Sequence, residues 1–285
     1  MIEPAVIRRS VQERGLIGDL FSADANLPKP TVIVLGGSEG GKSWSDNPYQ
    51  AEMLANLIEA GFAVFSLAYF GLDGLPPALV RIPLEYFETA FAWLAEQPQV
   101  IPNTYALVGG SKGGELALLL GSRYPQIKAV AAFAPASVVF QGLSKDSKSV
   151  SSWTHQGKEL AFVPFPLTAI FAILKGIRSG HFLDAYTLAL RNKKAVAPAA
   201  IPAENSSGPI LLLSGSWDEM WPAAAMCEQI MARLSAAKFP FSYEHLALET
   251  GHNVFDDKTA WPEIIRFLTQ EFLPNAPSSS AVCGL

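Results

Sequence analysis

Tyr105-Ala-Leu-Val-Gly-Gly-Ser-Lys-Gly-Gly-Glu-Leu-Ala-Leu-Leu-Leu-Gly121 is the stretch on which the reading of this 285-residue chain turns. Its first residues suit a buried strand that runs into Gly109 and Gly110, and the later apolar run suits a helix over 115–123. Between them Gly109-Gly110-Ser111-Lys112-Gly113 matches Gly-x-Ser-x-Gly, the nucleophile elbow. A turn this tight forces the serine into a sparsely populated backbone region and presses strand against helix, so a Cβ at the flanking positions would collide. The pattern alone is weak, because Gly and Ser are common in loops. Its position after a strand and before a helix is the context that gives it meaning.

Outward from the elbow, short apolar runs alternate with segments of helical period, as a parallel sheet with crossover helices requires. On the N-terminal side the strands are 31–35 and 62–69 and the helices 50–60 and 84–96. On the C-terminal side follow a strand over 129–133, a strand over 209–213, a helix over 223–236, a strand over 241–248 and a helix over 262–272. Residues 6–21 read as a leading hairpin and 274–285 as a flexible tail. The alternation breaks over 138–207, which reads as a cap-like insertion over the sheet. The expected architecture is a single α/β-hydrolase domain over 1–273, with a mostly parallel central sheet flanked by helices.

Composition agrees with a buried globular chain: 49% hydrophobic residues, 16% charged and a mean hydropathy of +0.22. A net charge of −5 argues against a nucleic-acid binder, which needs a basic face to displace phosphate counterions. Two cysteines, Cys227 and Cys283, make neither a disulfide framework nor a metal-binding spacing. No basic and apolar leader opens the sequence, which favours a cytoplasmic chain. The longest apolar run, 160–174, is too short to span a bilayer and holds Pro164 and Pro166.

A serine hydroxyl needs a base and a group that orients the base. Of four histidines, His155 and His181 fall in the insertion and His245 lies inside a strand pattern. His252, in the turn-like Glu249-Thr-Gly-His-Asn253, follows that strand at the end where such sheets place ligands, and is the candidate base. The chain order Ser, acid, His then calls for a carboxylate at an intervening strand end. Asp218 in Ser214-Gly-Ser-Trp-Asp-Glu219 is the candidate, with Glu219 next in line if the turn is offset by one. Asp218 also suits capping of the helix after Pro222. Asp184 and Asp256 are placed less well.

The oxyanion donors expected of this layout are the Lys112 amide and an amide of Gly37 or Ser38 in the loop Leu35-Gly-Gly-Ser-Glu-Gly-Gly41. That loop is read as an oxyanion loop and not as a phosphate loop. The Lys112 side chain is expected to lie solvated beside Glu115, with a substrate anion at the mouth as the other reading. The stretch 162–174 carries too many apolar groups to leave in water. It is expected to line an acyl pocket in which Phe165, Ile170 and Phe171 touch substrate, unless it packs on the sheet edge or forms a homodimer contact.

Gly110-Ser-Lys-Gly-Gly-Glu-Leu116, Gly61-Phe-Ala-Val-Phe-Ser-Leu-Ala-Tyr69, Leu84-Glu-Tyr-Phe-Glu-Thr-Ala90 and Glu249-Thr-Gly-His252 resemble the acyl-CoA thioester hydrolases and bile acid-CoA:amino acid N-acyltransferases. The likeness is to their C-terminal, dienelactone-hydrolase-like domain. It implies Ser111 as nucleophile, Asp218 as acid and His252 as base. Members of that family commonly carry an N-terminal β-sandwich, whereas here the first central strand begins at Thr31. The transferases of the family use cysteine at the position of Ser111, which favours hydrolysis here.

The expectation is therefore a serine hydrolase that cleaves an acyl thioester or carboxylic ester through an acyl-enzyme. No metal or organic cofactor, no nucleic acid and no membrane insertion are expected. The alternatives are an acyltransferase to an amine or alcohol, a peptidase and a silent ligand-binding fold.

Overall fold

The computed structural model describes residues 6–144 and 149–277. Cys283 and the tail expected over 274–285 lie, from 278 on, outside the described residues. Strands β1 (Ile7–Glu13) and β2 (Leu16–Ser22) pair antiparallel. Their turn is Arg14-Gly15, both at positive φ, as a two-residue hairpin turn requires. Then come β3 (Lys29–Leu35), the short helix α1 (Ser43–Asp46), α2 (Pro48–Glu59), β4 (Ala63–Ala68), β5 (Ile82–Pro83), α3 (Glu85–Ala95), β6 (Val100–Gly110), α4 (Lys112–Gly121) and β7 (Ile127–Phe133). The segment that interrupts the alternation holds β8 (Trp153–His155), β9 (Lys158–Glu159), α5 (Ile170–Ser179), α6 (Leu183–Leu190) and α7 (Lys193–Ala199). The alternation resumes with β10 (Ile210–Gly215), α8 (Ala223–Ala236), β11 (Tyr243–Leu248) and α9 (Ala260–Phe267).

Eight strands form one sheet in the order β1-β2-β4-β3-β6-β7-β10-β11. From β4 to β11 every pairing is parallel. Side chains alternate across β3: Val32 and Val34 enter a core with Leu54 and Leu57 of α2 and Ile264 and Phe267 of α9. Ile33 and Leu35 enter the opposite core with Phe87 and Phe91 of α3 and Leu116 and Leu120 of α4. The α/β-hydrolase fold expected from the sequence is the fold observed. Strand order reverses between β3 and β6, so the crevice at their carboxyl ends is where such a sheet offers a site.

Helix α4 begins at Lys112, three residues earlier than the sequence suggests. Gly113 and Gly114, poor helix formers, hide its first turn. They stand there because a Cβ on Gly113 would meet the carbonyl oxygens of Gly36 and Leu35 at 2.5 and 2.6 Å. Strand β6 begins at Val100, earlier than expected; its first half holds Pro102 and Asn103 at positive φ, which interrupt the apolar strand pattern.

The expectation that the apolar run over 162–174 is buried holds for its first part, where Val163 is buried and Phe162 and Phe165 pack on the core, and is corrected from Leu167 onward. Leu167 is 95% exposed and Phe171 81%, while Leu174 and Ile170 are half exposed. Helix α5 turns small residues inward: Ala169, just before it, is buried, and a Cβ on Gly176 would meet the Phe182 ring at 2.5 Å. That close approach leaves the large apolar side chains outside. Among the described residues no helix is long and apolar enough to cross a membrane.

Candidate active site

Strand β6 ends at Gly110, and Ser111 takes the strained conformation φ 53°, ψ −120° before α4 starts. Its N–H donates to the Phe133 carbonyl at the end of β7, 2.9 Å away. The hydroxyl is thereby aimed over the carboxyl ends of the strands. Ser111 Oγ lies 2.9 Å from His252 Nε2, and His252 Nδ1 lies 2.9 Å from Asp218 Oδ2 and 3.0 Å from Oδ1. His252 comes from the loop after β11 and Asp218 from the loop after β10. The three residues named from the sequence are thus brought into hydrogen-bonding contact from three strand ends.

Asp218 is held on its other side by the amides of Met220 and Trp221, which donate to Oδ1 at 2.8 and 3.1 Å. Those amides precede α8, whose N-cap is Pro222 with no side-chain cap, so the expectation that Asp218 caps this helix is corrected and the carboxylate instead closes the turn that leads to it. Glu219 accepts the His252 backbone N–H through Oε2 at 3.2 Å, which holds the loop and leaves the ring to Asp218. Trp221 packs edge-on to the His252 ring with centroids 5.7 Å apart, and its Nε1 donates to the Ala134 carbonyl at 3.1 Å. The site is a hydroxyl, an imidazole and a buried carboxylate in line, an arrangement able to move a proton off the hydroxyl as it attacks.

The other histidines are elsewhere. His155 sits in β8 with Nε2 3.6 Å from Glu88, and His181 is exposed after α5. His245 lies between Ser214 Oγ at 2.8 Å and Glu228 at 2.7 Å, the same residue types as a relay. Ser214, however, is fully buried within β10, where no substrate can reach its hydroxyl.

A cavity of about 310 Å³ opens beside Ser111 and His252, walled by Trp44, Phe133 and Phe255 and by the polar Glu39, Ser43 and Asn253. Phe165, Ile170 and Phe171 do not line it. Phe165 packs edge-on to Tyr186, 4.9 Å between centroids, and the other two face outward on α5. In the 36–41 loop the Gly37 N–H donates to Glu39 Oε1 at 2.8 Å, and Ser38 is exposed. The spacing from Gly36 to Ser43 does match the phosphate-loop pattern Gly-x-x-x-x-Gly-Lys-Ser, so setting that reading aside rests on geometry alone. Lys42 Nζ is engaged by Asp19 at 3.2 Å, Glu39 folds onto the loop amide, and the helix that follows has four residues. Among the described residues no group of three or more His, Cys, Asp or Glu side chains is arranged to hold a metal ion.

The Lys112 side chain is corrected as well. It is buried, with Nζ 2.7 Å from both Glu115 oxygens, and so neither solvated nor at the mouth. A lysine and a glutamate three apart on a helix read as a solvated surface pair. Here their side of α4 is covered by Phe140 and Trp153, distant in sequence, and no local signal announces that cover. Burial pushes the Lys112 ammonium below and the Glu115 carboxyl above its ordinary pKa, and each charge opposes the shift of the other. Tyr69, which the sequence reading passes over, donates to the Gly36 carbonyl and braces the same loop.

Residues 82–256 match the family described as BAAT / Acyl-CoA thioester hydrolase C terminal. Mouse acyl-coenzyme A thioesterase 1 is 32% identical over 237 residues, 82% of this chain and 51% of that protein. Mouse acyl-coenzyme A amino acid N-acyltransferase 2 is 28% identical over 236 residues, 82% of this chain and 51% of that protein. The chain thus spans about half the length of these curated relatives. Among solved structures, a puromycin-hydrolyzing peptidase of Mycobacterium tuberculosis superposes with a TM-score of 0.64 at 15% identity, over 94% of this chain and 39% of that one, a likeness of fold. With a profile match that runs from β5 past His252 and takes in the elbow, this chain belongs to the BAAT / acyl-CoA thioester hydrolase C-terminal family.

Proposed function

We propose that the chain is a serine hydrolase that cleaves an acyl thioester of the acyl-CoA kind, or a carboxylic ester, through an acyl-enzyme on Ser111. The observation that carries this reading is the continuous contact from Ser111 Oγ through both His252 nitrogens to Asp218. Ser111 Oγ attacks the carbonyl carbon as His252 Nε2 takes its proton, and Asp218 steadies the imidazolium. The tetrahedral oxyanion faces the start of α4, where the Lys112 amide donates, with a second amide from Gly37 or Ser38. For Gly37 to serve, the Glu39 carboxylate must leave its N–H. Collapse expels thiolate or alkoxide, which takes the proton from His252. Water, deprotonated by the same nitrogen, then releases the carboxylic product.

The relatives are named for thioester hydrolysis and for transfer to amino acids. A serine at the elbow favours water as acceptor, because an oxyester acyl-enzyme is aminolysed less readily than a thioester. Purified protein should hydrolyse members of a graded series of acyl-CoA thioesters and p-nitrophenyl esters, and an added amine should not divert the product. Ser111→Ala should lower kcat by about 10⁴-fold or more with the fold intact. A fluorophosphonate adduct on a residue other than Ser111, read by mass spectrometry, would refute the assignment.

A further inference from the structure

The elbow motif contains a charged pair that the hydrolytic scheme does not use. Glu115 is fully buried, and its carboxylate gathers donors from three separate parts of the chain. Oε1 accepts from Lys112 Nζ at 2.7 Å and from Trp153 Nε1 at 2.8 Å; Oε2 accepts from Lys112 Nζ at 2.7 Å and from the Phe140 N–H at 3.3 Å. Lys112 follows the serine, Phe140 lies in the segment that leaves the end of β7, and Trp153 opens β8. The ammonium also lies 5.7 Å from the centre of the Trp153 ring.

These contacts continue to the other half of the site. The Phe140 ring stacks on Trp221 at 5.7 Å and 22°. Trp221 in turn meets the His252 ring, and its backbone N–H donates to Asp218 Oδ1. One carboxylate is thus tied on one side to the residue whose amide faces the oxyanion and on the other, through Phe140 and Trp221, to the base and its acid.

Burying two charges brings little net stability, since their desolvation offsets their attraction and an apolar pair of equal volume often does as well. What a fully hydrogen-bonded carboxylate supplies, and apolar packing does not, is direction. We propose that Glu115, with Lys112 as its counter-ion, is a positioning residue that sets the first turn of α4 against the Phe140–Trp221 wall, holding nucleophile and base in register. This rests on the reading of Ser111, His252 and Asp218 given above.

The test uses two variants, Trp153→Phe and the isosteric neutral pair Lys112→Met with Glu115→Gln. Each is assayed for Tm, for kcat and KM on a short p-nitrophenyl ester, and for the rate of fluorophosphonate attachment to Ser111. The double variant should stay folded, with kcat and attachment rate lower by about ten- to a hundredfold and KM within about threefold, because misalignment costs rate more than binding. Trp153→Phe, which removes one donor and keeps a ring, should lower kcat by roughly three- to tenfold at unchanged KM. A folded double variant with parental kcat makes the pair mere packing and overturns the inference. Should the double variant fail to fold, Trp153→Phe decides, and parental kcat there overturns it. A parent protein that takes no label at Ser111 removes the functional reading and this inference together; a labelled parent with unaffected variants removes this inference alone.

Discussion

Asp218 serves two structures at once, orienting His252 and receiving the amides of Met220 and Trp221 through Oδ1. Asp218→Asn keeps one oxygen for those amides but presents the wrong partner to Nδ1. It should cost up to about 10⁴-fold in kcat/KM through the wrong tautomer, with a stability loss of only about 1 kcal/mol, checked by steady-state kinetics beside thermal melts. Glu39 offers a second test. Its carboxylate already occupies the Gly37 amide and flanks the cavity beside Ser111, so the carboxylate product of the proposed reaction would meet like charge on release. Glu39→Gln should strengthen product inhibition by a free fatty acid by roughly threefold or more, as a change in Ki at constant ionic strength. Ser111, Asp218 and His252 could be read from sequence because each sits at a strand end among turn residues. Trp221 and the burial of Lys112 could not, because their surroundings come from segments far away in the chain.

At the scale of elements, patterning located the sheet and its helices closely, and α8 falls on its expected bounds. Patterning identifies a helix with a strong apolar stripe but leaves open which way the stripe faces. Helix α5 and the turn before it face the wrong way for the usual rule: Ala169 in the turn and Gly176 in the helix mark the inner side, while Leu167 of the turn and Phe171 and Ile177 of the helix look out. Phe171→Ala should therefore leave kcat/KM on short esters unchanged and shift stability by no more than about 0.5 kcal/mol. A loss of activity on short esters would show that this helix reaches the cavity during turnover. For Ile170 and Phe171 apolar character alone suggests burial and the inversion puts them outside, whereas Phe165 is packed, but against Tyr186 and away from the cavity.

Across the whole molecule, Asp19 ties the leading hairpin to the segment after β3. It is buried on β2 and accepts from Arg8, Ser10, Lys42 and Ser45. Burial pushes its carboxyl up, but these hydrogen bonds outweigh burial and hold it below the ordinary carboxylate range. A carboxyl lowered by folding adds stability above its unfolded pKa of about 3.9, and that stability is lost as pH falls through the lower folded value. Asp19→Asn should be less stable than the parent by about 1.5 to 3 kcal/mol at pH 7, since its partners keep access to water, and the gap should narrow below about pH 4, as followed by urea denaturation. Ser111 and His252 are separated by 141 residues, with β7, the inserted segment, β10 and β11 between them. That separation is also a separation in time. At roughly 5–20 residues per second, synthesis exposes the elbow on the order of ten seconds before His252 exists. On the proposed function, the nascent chain carries a serine that is not yet a nucleophile, and hydrolysis begins only when the last strand is laid against the sheet.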